Sequence, residues 1–312
     1  MNVIILGAAG FIGTNLVKKL AEEAENKITL VDVNEDFFAD IKELSLHNVN
    51  IIVSRLDENT DYASLLLGQD VVYHLVSTTV PTTSNQQVSQ ELVKNVVMTS
   101  IMLEACVRCE VKKVVFISSG GTVYGKEANC PLKEDTATNP ITSYGIQKVT
   151  IEKLLYLYRH MHGLDYRIIR LANPYGPYQR PNGILGAVTT FTYKALVNDK
   201  IVVYGDGSVV RDFIYIDDAI RAIDNIVNKP GTYRTYNLGC GYGTSINDVL
   251  NCVQSTLDCQ MDIEYKKARQ VDVPVNYLDI SRYEEDYGEL KPISLEEGIR
   301  QTADFMKEYY RM

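Results

Sequence analysis

The chain has 312 residues, 46% hydrophobic and 23% charged, which suits a soluble globular protein with one large domain and a smaller one. Its 31 lysines and arginines are outweighed by 40 aspartates and glutamates, and the net charge of −9 offers no general footprint for nucleic acid. No apolar stretch reaches the roughly 20 residues that span a bilayer. The N-terminus enters a strand without the basic region and cleavage site of a signal peptide, so a cytoplasmic protein away from membranes is expected.

Apolar runs at 3–6, 28–31, 71–75, 113–118 and 166–171 read as short buried strands. Helical patterns lie between them near 11–24, 60–67, 89–108 and 143–162; Val93, Val96, Val97 and Ile101 keep helical spacing, as do Ile151, Leu154, Leu155 and Tyr158. This alternation predicts an α/β fold with a parallel sheet, helices on both faces, and ligands at the carboxyl ends of the strands. After Asn173 the rhythm changes, with Pro and Gly clustered in Pro174-Tyr-Gly-Pro177 and Arg180-Pro-Asn-Gly183. Residues 213–216 and a helix over 217–228 read as a return to the sheet, with 236–239 as a further strand. The six cysteines form no disulfide framework in a chain this long. Cys106 and Cys109 make a lone CxxC in a helical pattern and read as buried thiols. His160-Met-His162 reads as a surface feature, so no metal is expected.

Gly7-Ala-Ala-Gly10-Phe-Ile-Gly13 stands directly after the first strand and opens a helix. Gly7 permits the tight turn, Gly10 lets the backbone approach a pyrophosphate, and Gly13 lets helix and strand pack closely. The helix N-terminus then offers free N–H groups and partial positive charge to the phosphates. Glycines serve tight turns anyway, so the weight of the motif comes from its place between strand and helix. Asp32 ends the second strand, where a carboxylate accepts hydrogen bonds from the adenosine ribose and repels a 2′-phosphate, favouring NAD over NADP. The plainer alternative is a solvated loop aspartate or helix cap, but no Lys or Arg between Val31 and Asp40 could bind that phosphate.

Tyr144 and Lys148 of Tyr144-Gly-Ile-Gln-Lys148 share one face of a helix capped by Thr142 or Ser143. A free phenol has a pKa of about 10. The ammonium and an oxidised nicotinamide both favour the phenolate, so Tyr144 can take a hydroxyl proton as hydride leaves the same carbon. In a chain with 21 tyrosines the pair alone would read as an exposed helix pair; behind the glycine motif it reads as acid–base chemistry.

With these motifs the chain resembles extended short-chain dehydrogenase/reductases of the NAD-dependent sugar epimerase/dehydratase family, most closely the UDP-glucose (UDP-galactose) 4-epimerases. The likeness also runs through Val72-Tyr-His-Leu75, Asn95, Ser118-Ser-Gly-Gly-Thr-Val-Tyr-Gly125, Arg170-Leu-Ala-Asn-Pro174, Tyr204-Gly-Asp-Gly-Ser208, Arg211-Asp-Phe213 and Arg269 to Asp272. It implies a Rossmann-type doubly wound sheet: 1–173 plus about 212–240 for NAD, and about 174–211 plus 241–312 for a nucleotide sugar. NAD contacts are implied at Gly7, Gly10, Phe11, Ile12, Gly13, Asp32, Leu56, Asp57, Leu75, Asn95, Ser118, Tyr144, Lys148 and Ala172. UDP-sugar contacts are implied at Ser77, Thr78, Ser119, Thr122, Asn173, Arg211, Arg269 and Asp272. Arginines also suit a diphosphate on chemical grounds, through bidentate donors; the alternative is that Arg211 and Arg269 merely pair with Asp212 and Asp272. A homodimer is implied through the helices near 89–108 and 143–162, although those stripes would equally serve to face only the sheet.

The chain also departs from the family pattern. The position of the usual catalytic Ser or Thr is Gly120, so Thr122 or Ser119 is expected to supply that hydroxyl. The usual adenine-binding Asp after the third strand aligns with Arg55, leaving Asp57 or Leu56 for the adenine. Ser77 and Thr78 replace the usual small alanines, and Leu171 and Ala172 leave room in the pocket wall. Gly120-Gly121 offer neither the acidic pair of the family's dehydratases and decarboxylases nor the cysteine of the fucose-synthase type. What remains is oxidation and re-reduction at one carbinol carbon, hence 4-epimerisation of a UDP-hexose through a 4-keto sugar. The alternatives are another nucleotide-sugar epimerase or 4-reductase, acting on an N-acetylhexosamine or uronic acid, and a non-catalytic NAD-binding relative.

Overall fold

A computed structural model describes residues 1–81, 84–181, 186–268 and 273–312. The first half contains β1 (Asn2–Leu6), α1 (Phe11–Ala21), β2 (Lys27–Asp32), α2 (Ala39–Glu43), β3 (Val49–Val53), α3 (Tyr62–Leu66) and β4 (Val71–His74). Then come α4 (Val88–Leu92), α5 (Met98–Arg108), β5 (Lys113–Ser119), α6 (Ser143–His162) and β6 (Asp165–Leu171). The second half contains β7 (Asn173–Tyr175), α7 (Ala187–Leu196), β8 (Ile201–Tyr204), β9 (Val210–Arg211), β10 (Phe213–Tyr215), α8 (Ile216–Asn228) and β11 (Thr235–Leu238). It ends with β12 (Thr244–Ser245), α9 (Ile246–Leu257), β13 (Ile263–Lys266), β14 (Val275–Asn276), α10 (Ser281–Tyr287) and α11 (Leu295–Tyr309).

Among the described residues, seven strands form a parallel sheet in the order β11-β6-β5-β4-β1-β2-β3. This is the Rossmann-type doubly wound sheet. Strand order reverses between β1 and β4, which opens a crevice at their carboxyl ends. Alternation along β1 shows why both faces are covered: Val3 and Ile5 pack with α1 and α8, while Ile4 and Leu6 pack with α5 and α6. Each fully buried aliphatic side chain contributes roughly 1.5–3 kcal/mol. A further apolar cluster unites Tyr175, Val188, Phe191, Phe213, Val249 and Ile299, drawn from β7, α7, β10, α9 and α11. No helix among the described residues is long and apolar enough to cross a membrane.

Three details differ from the sequence expectations. Residues 213–215 do not return to the large sheet: β10 pairs with β7, and Phe213 and Tyr215 bury in the separate cluster, where a short apolar run is as well satisfied. The apolar runs also omitted β3, an edge strand whose half-exposed residues lack a buried-strand signature. The helix expected near 89–108 contains a π turn at Val93–Val97 between α4 and α5, a departure that often marks a functional position.

Candidate functional site

The glycine turn is shaped by what its residues lack. Gly7 holds φ at +84°, and a Cβ there would lie 3.0 Å from the Val76 nitrogen. A Cβ on Gly13 would lie 2.3 Å from the Ala8 carbonyl oxygen, so only glycine lets α1 approach β1 this closely. Above Gly10, the N-cap of α1, the nearest atom to such a Cβ is the Gly7 oxygen at 3.8 Å, which leaves the helix N-terminus open. The Asp32 carboxylate accepts from the backbone N–H of Ala9 (2.9 Å) and Val33 (2.7 Å), fixing it beside the turn. Gly7, Gly10, Asp32, Leu56, Asp57 and Leu75 line one cleft of about 810 Å³, to which Arg55, Ser77 and Thr78 also contribute. An open helix N-terminus with a carboxylate at the end of β2 fits a dinucleotide.

A second cleft, of about 530 Å³, contains Phe11, Ile12, Ser118, Ser119, Tyr144, Ala172, Asn173 and Arg211. α6 brings Tyr144 there because Thr142 caps it, accepting from the Gly145 N–H at 3.1 Å. Gly145 is needed for this approach, since a Cβ would lie 2.8 Å from the Thr122 carbonyl oxygen. The Lys148 ammonium donates to the Ile117 carbonyl (2.8 Å) and lies 5.4 Å from the Tyr144 ring centroid and 4.6 Å from that of Phe116. Burial pulls Lys148 down to about 8, with Glu152 acting against that fall. Burial pushes the Tyr144 phenol up to about 12. The expectation that the ammonium lowers Tyr144 therefore does not describe the ligand-free protein, in which desolvation dominates. His74 on β4, driven down to about 3 by burial and the Lys148 charge, is neutral.

Glu152, one turn beyond Lys148, is buried in a fork with Arg170 (2.7 and 3.1 Å) and accepts from Ser118 Oγ (2.5 Å). Ser118 is thus held by the helix as well as lining the cleft. Asn95 lies in the π turn and bonds Thr78, Gln147 and Glu91. The sequence reading singled out neither Glu152 nor Gln147; the available signal was a polar side chain at helical spacing from Lys148 or Tyr144.

Gly120 does not face this cleft. A Cβ there would lie 2.5 Å from Leu278 Cδ1 and 3.1 Å from the Arg170 carbonyl oxygen. Of the two hydroxyl candidates, Ser119 lines the cleft, whereas Thr122 Oγ1 is buried without a hydrogen-bond partner among the described residues. Asn173 is fixed by its N–H (3.0 Å) and Nδ2 (2.9 Å), which both donate to the Asp212 carbonyl. The buried Asp212 carboxyl is pushed up to about 6 by desolvation, although it accepts from the N–H groups of Cys240, Gly241 and Leu278. Arg211 Nη1 donates to the Val210 and Val273 carbonyls. Arg269 and Asp272 lie outside the described residues. Among the described residues no group of three or more His, Cys, Asp or Glu could hold a metal ion.

Residues 3–239 match the model of the NAD dependent epimerase/dehydratase family. The chain is 31% identical to a putative UDP-glucose 4-epimerase of Methanocaldococcus jannaschii, with 99% of each chain covered. It is 30% identical to the UDP-glucose 4-epimerase of Mycolicibacterium smegmatis, over 98% of this chain and 99% of that one. The solved UDP-glucose 4-epimerase of Thermotoga maritima with UDP-glucose superposes with a TM-score of 0.90 at 29% identity, over 99% of this chain and 100% of that one. The Bacillus cereus UDP-glucuronic acid 4-epimerase, solved with UDP-glucuronic acid and NAD, has the same TM-score and coverage at 27% identity.

Proposed function

Because the chain belongs to the NAD-dependent epimerase/dehydratase family, we propose that it inverts C4 of a UDP-hexose of the glucose/galactose type. The observation that carries this reading is the lining of the second cleft. It combines Tyr144, Ser119 and Asn173 with the cations Lys194 and Arg211, and among the described residues no carboxylate borders it. Elimination of water needs an acid and a base beside the leaving group; inversion at a carbinol needs one proton acceptor and one hydride acceptor. Bound at the glycine turn, NAD would supply the second and return the hydride after the sugar has turned.

Tyr144 takes the O4 proton and later returns it. With the phenol near 12 in the ligand-free protein, the positive nicotinamide ring of bound NAD would offset its desolvation. Ser119 holds O4, and Arg211 anchors the diphosphate. Ala172 and Pro81 supply small, apolar wall that grips the sugar weakly, so the 4-keto sugar can rotate about its tether. Glycine turn, Asp32, Leu56, Asp57 and Lys148 hold the cofactor. We keep the division into a cofactor domain, 1–173 plus about 212–240, and a sugar domain, about 174–211 plus 241–312, with β10 packing in the cluster of the second and the sugar cleft lined by both. Ile146, Leu157 and Met161 leave an exposed apolar row on α6, with Val97 at the end of the π turn, and this row supports a homodimer.

The test is a panel of UDP-glucose, UDP-galactose, UDP-N-acetylglucosamine and UDP-glucuronate with the NAD-loaded enzyme and Tyr144→Phe as control. Interconversion of the neutral hexoses without net NADH is expected, the control losing about 10²–10⁴-fold in kcat. Steady NADH release, or turnover of a charged or acetylated sugar alone, would overturn it. Light scattering on the same preparation should give twice the 35.1 kDa chain mass; a monomer removes the dimer.

A further inference from the structure

Around the first turn of α6 lies a buried polar cluster in which Gln147 and Glu91 have no role in the chemistry above. Gln147 sits between Tyr144 and Lys148 and is 2% exposed. Its Nε2 donates to Ser143 Oγ (2.9 Å) and Glu91 Oε2 (3.2 Å). Its Oε1 accepts from Asn95 Nδ2 (2.7 Å) and, at 3.5 Å, from Thr79 Oγ1. Glu91, 6% exposed, also accepts from Ser143 Oγ at 2.6 Å. Asn95 Oδ1 accepts from the Thr78 N–H at 2.9 Å, and Asn85 Oδ1 accepts from the Ser143 N–H at 2.6 Å.

These bonds join segments far apart in sequence. One is the stretch 77–81 after β4, whose Ser77 and Thr78 border the cofactor cleft and whose Pro81 borders the sugar cleft. Another is the π turn Val93–Val97, and the last is the helix start that carries Tyr144. Unpaired polar groups in the interior are costly, so the cluster favours one relative placement of all of them. The Glu91 carboxylate meets the N-terminal turn of the 20-residue α6, where the helix dipole favours negative charge.

We propose that Gln147 and Glu91 are positioning residues that set the Tyr144 phenol and the stretch 77–81 between the two clefts as one unit. Neither touches the reacting carbon; both act through Ser143, Asn95 and the helix turn. The proposal rests on the epimerase reading for its kinetic consequence and on geometry alone for its structural one. Turnover depends on the cluster more steeply than cofactor retention does, because neither residue is part of the glycine turn or of the Asp32 contacts, and the cluster reaches the cofactor cleft only through Thr78.

The test is a reciprocal exchange in the NAD-loaded enzyme: Glu91→Gln, Gln147→Glu, and the two together. Gln147→Glu sets two carboxylates face to face, whereas the double variant restores one carboxylate and one amide with their places exchanged. Each single variant is expected to lower kcat about 10–100-fold, since misplacement of about 1 Å can cost 10²-fold, with bound NAD lowered far less than kcat. The double variant should recover to within about fivefold of the parent. Amide deuterium uptake at 77–81 and 143–147 should rise in the single variants and return in the double. That readout needs no turnover, so it judges the cluster even if the parent acts on no UDP-hexose, an outcome that would sink only the epimerase reading. Single variants with parental kcat and parental uptake overturn the proposal. So does a double variant that retains NAD, or fails to fold, yet does no better than the poorer single variant.

Discussion

The two halves of the crevice are made of different material. The cofactor half is cut from backbone: Gly7, Gly10 and Gly13 stand within one turn, and each works by the space or conformation that a missing side chain allows. The sugar half is assembled from side chains on β5, α6, the β6–β7 junction, α7, β8 and β9. A short local pattern therefore specifies the first, whereas the second exists only once distant segments have met.

The largest expected effect strikes the backbone half. Gly13→Val drives a side chain into the Ala8 carbonyl, so it should abolish NAD retention and lower stability by about 1–3 kcal/mol. Nucleotide content of the purified protein and its thermal midpoint measure this; full NAD occupancy in the variant would erase the contrast. Next, Ser119→Ala should lower kcat about 10²-fold with NAD retained, while Thr122→Val leaves kcat at the parental value. Steady-state kinetics on the two variants sharpen the sugar half to one hydroxyl, and the reverse result would transfer that role to Thr122. The smallest effect is on pH. The Lys148 pKa in the folded protein is lowered to about 8, so its ammonium is present below that pH and lost as pH rises through it. NAD affinity of the ligand-free protein should decline across that step, and Lys148→Met should flatten the profile. An affinity in the parent that is flat across about pH 7–9 would detach Lys148 from the cofactor half.

Legibility in the sequence follows the same division. The glycine turn, Asp32 and the Tyr144–Lys148 pair were readable because each is a local spacing on a periodic element. Ser119 and Thr122 were indistinguishable, because side-chain direction there is set by Leu278 packing on Gly120 and by Gly145 meeting the Thr122 carbonyl, contacts across about 20 to 160 residues of chain. Residues 213–216 read as a buried strand, as β10 is, but an apolar run does not say which sheet it joins. Gln147 stands between Tyr144 and Lys148 with no role legible in the sequence, since what it touches lies on α4, the π turn and the stretch after β4.

Leu278 has one more consequence. Its side chain occupies the space into which a Cβ at position 120 would project, so the two positions form an epistatic pair. A serine at 120 requires the buried Leu278 side chain to shift or shorten, and the thermal midpoint of Gly120→Ser with and without Leu278→Ala reads that dependence. In this scaffold, installing a hydroxyl at position 120 is coupled to the C-terminal segment, which must yield before the loop after β5 can change.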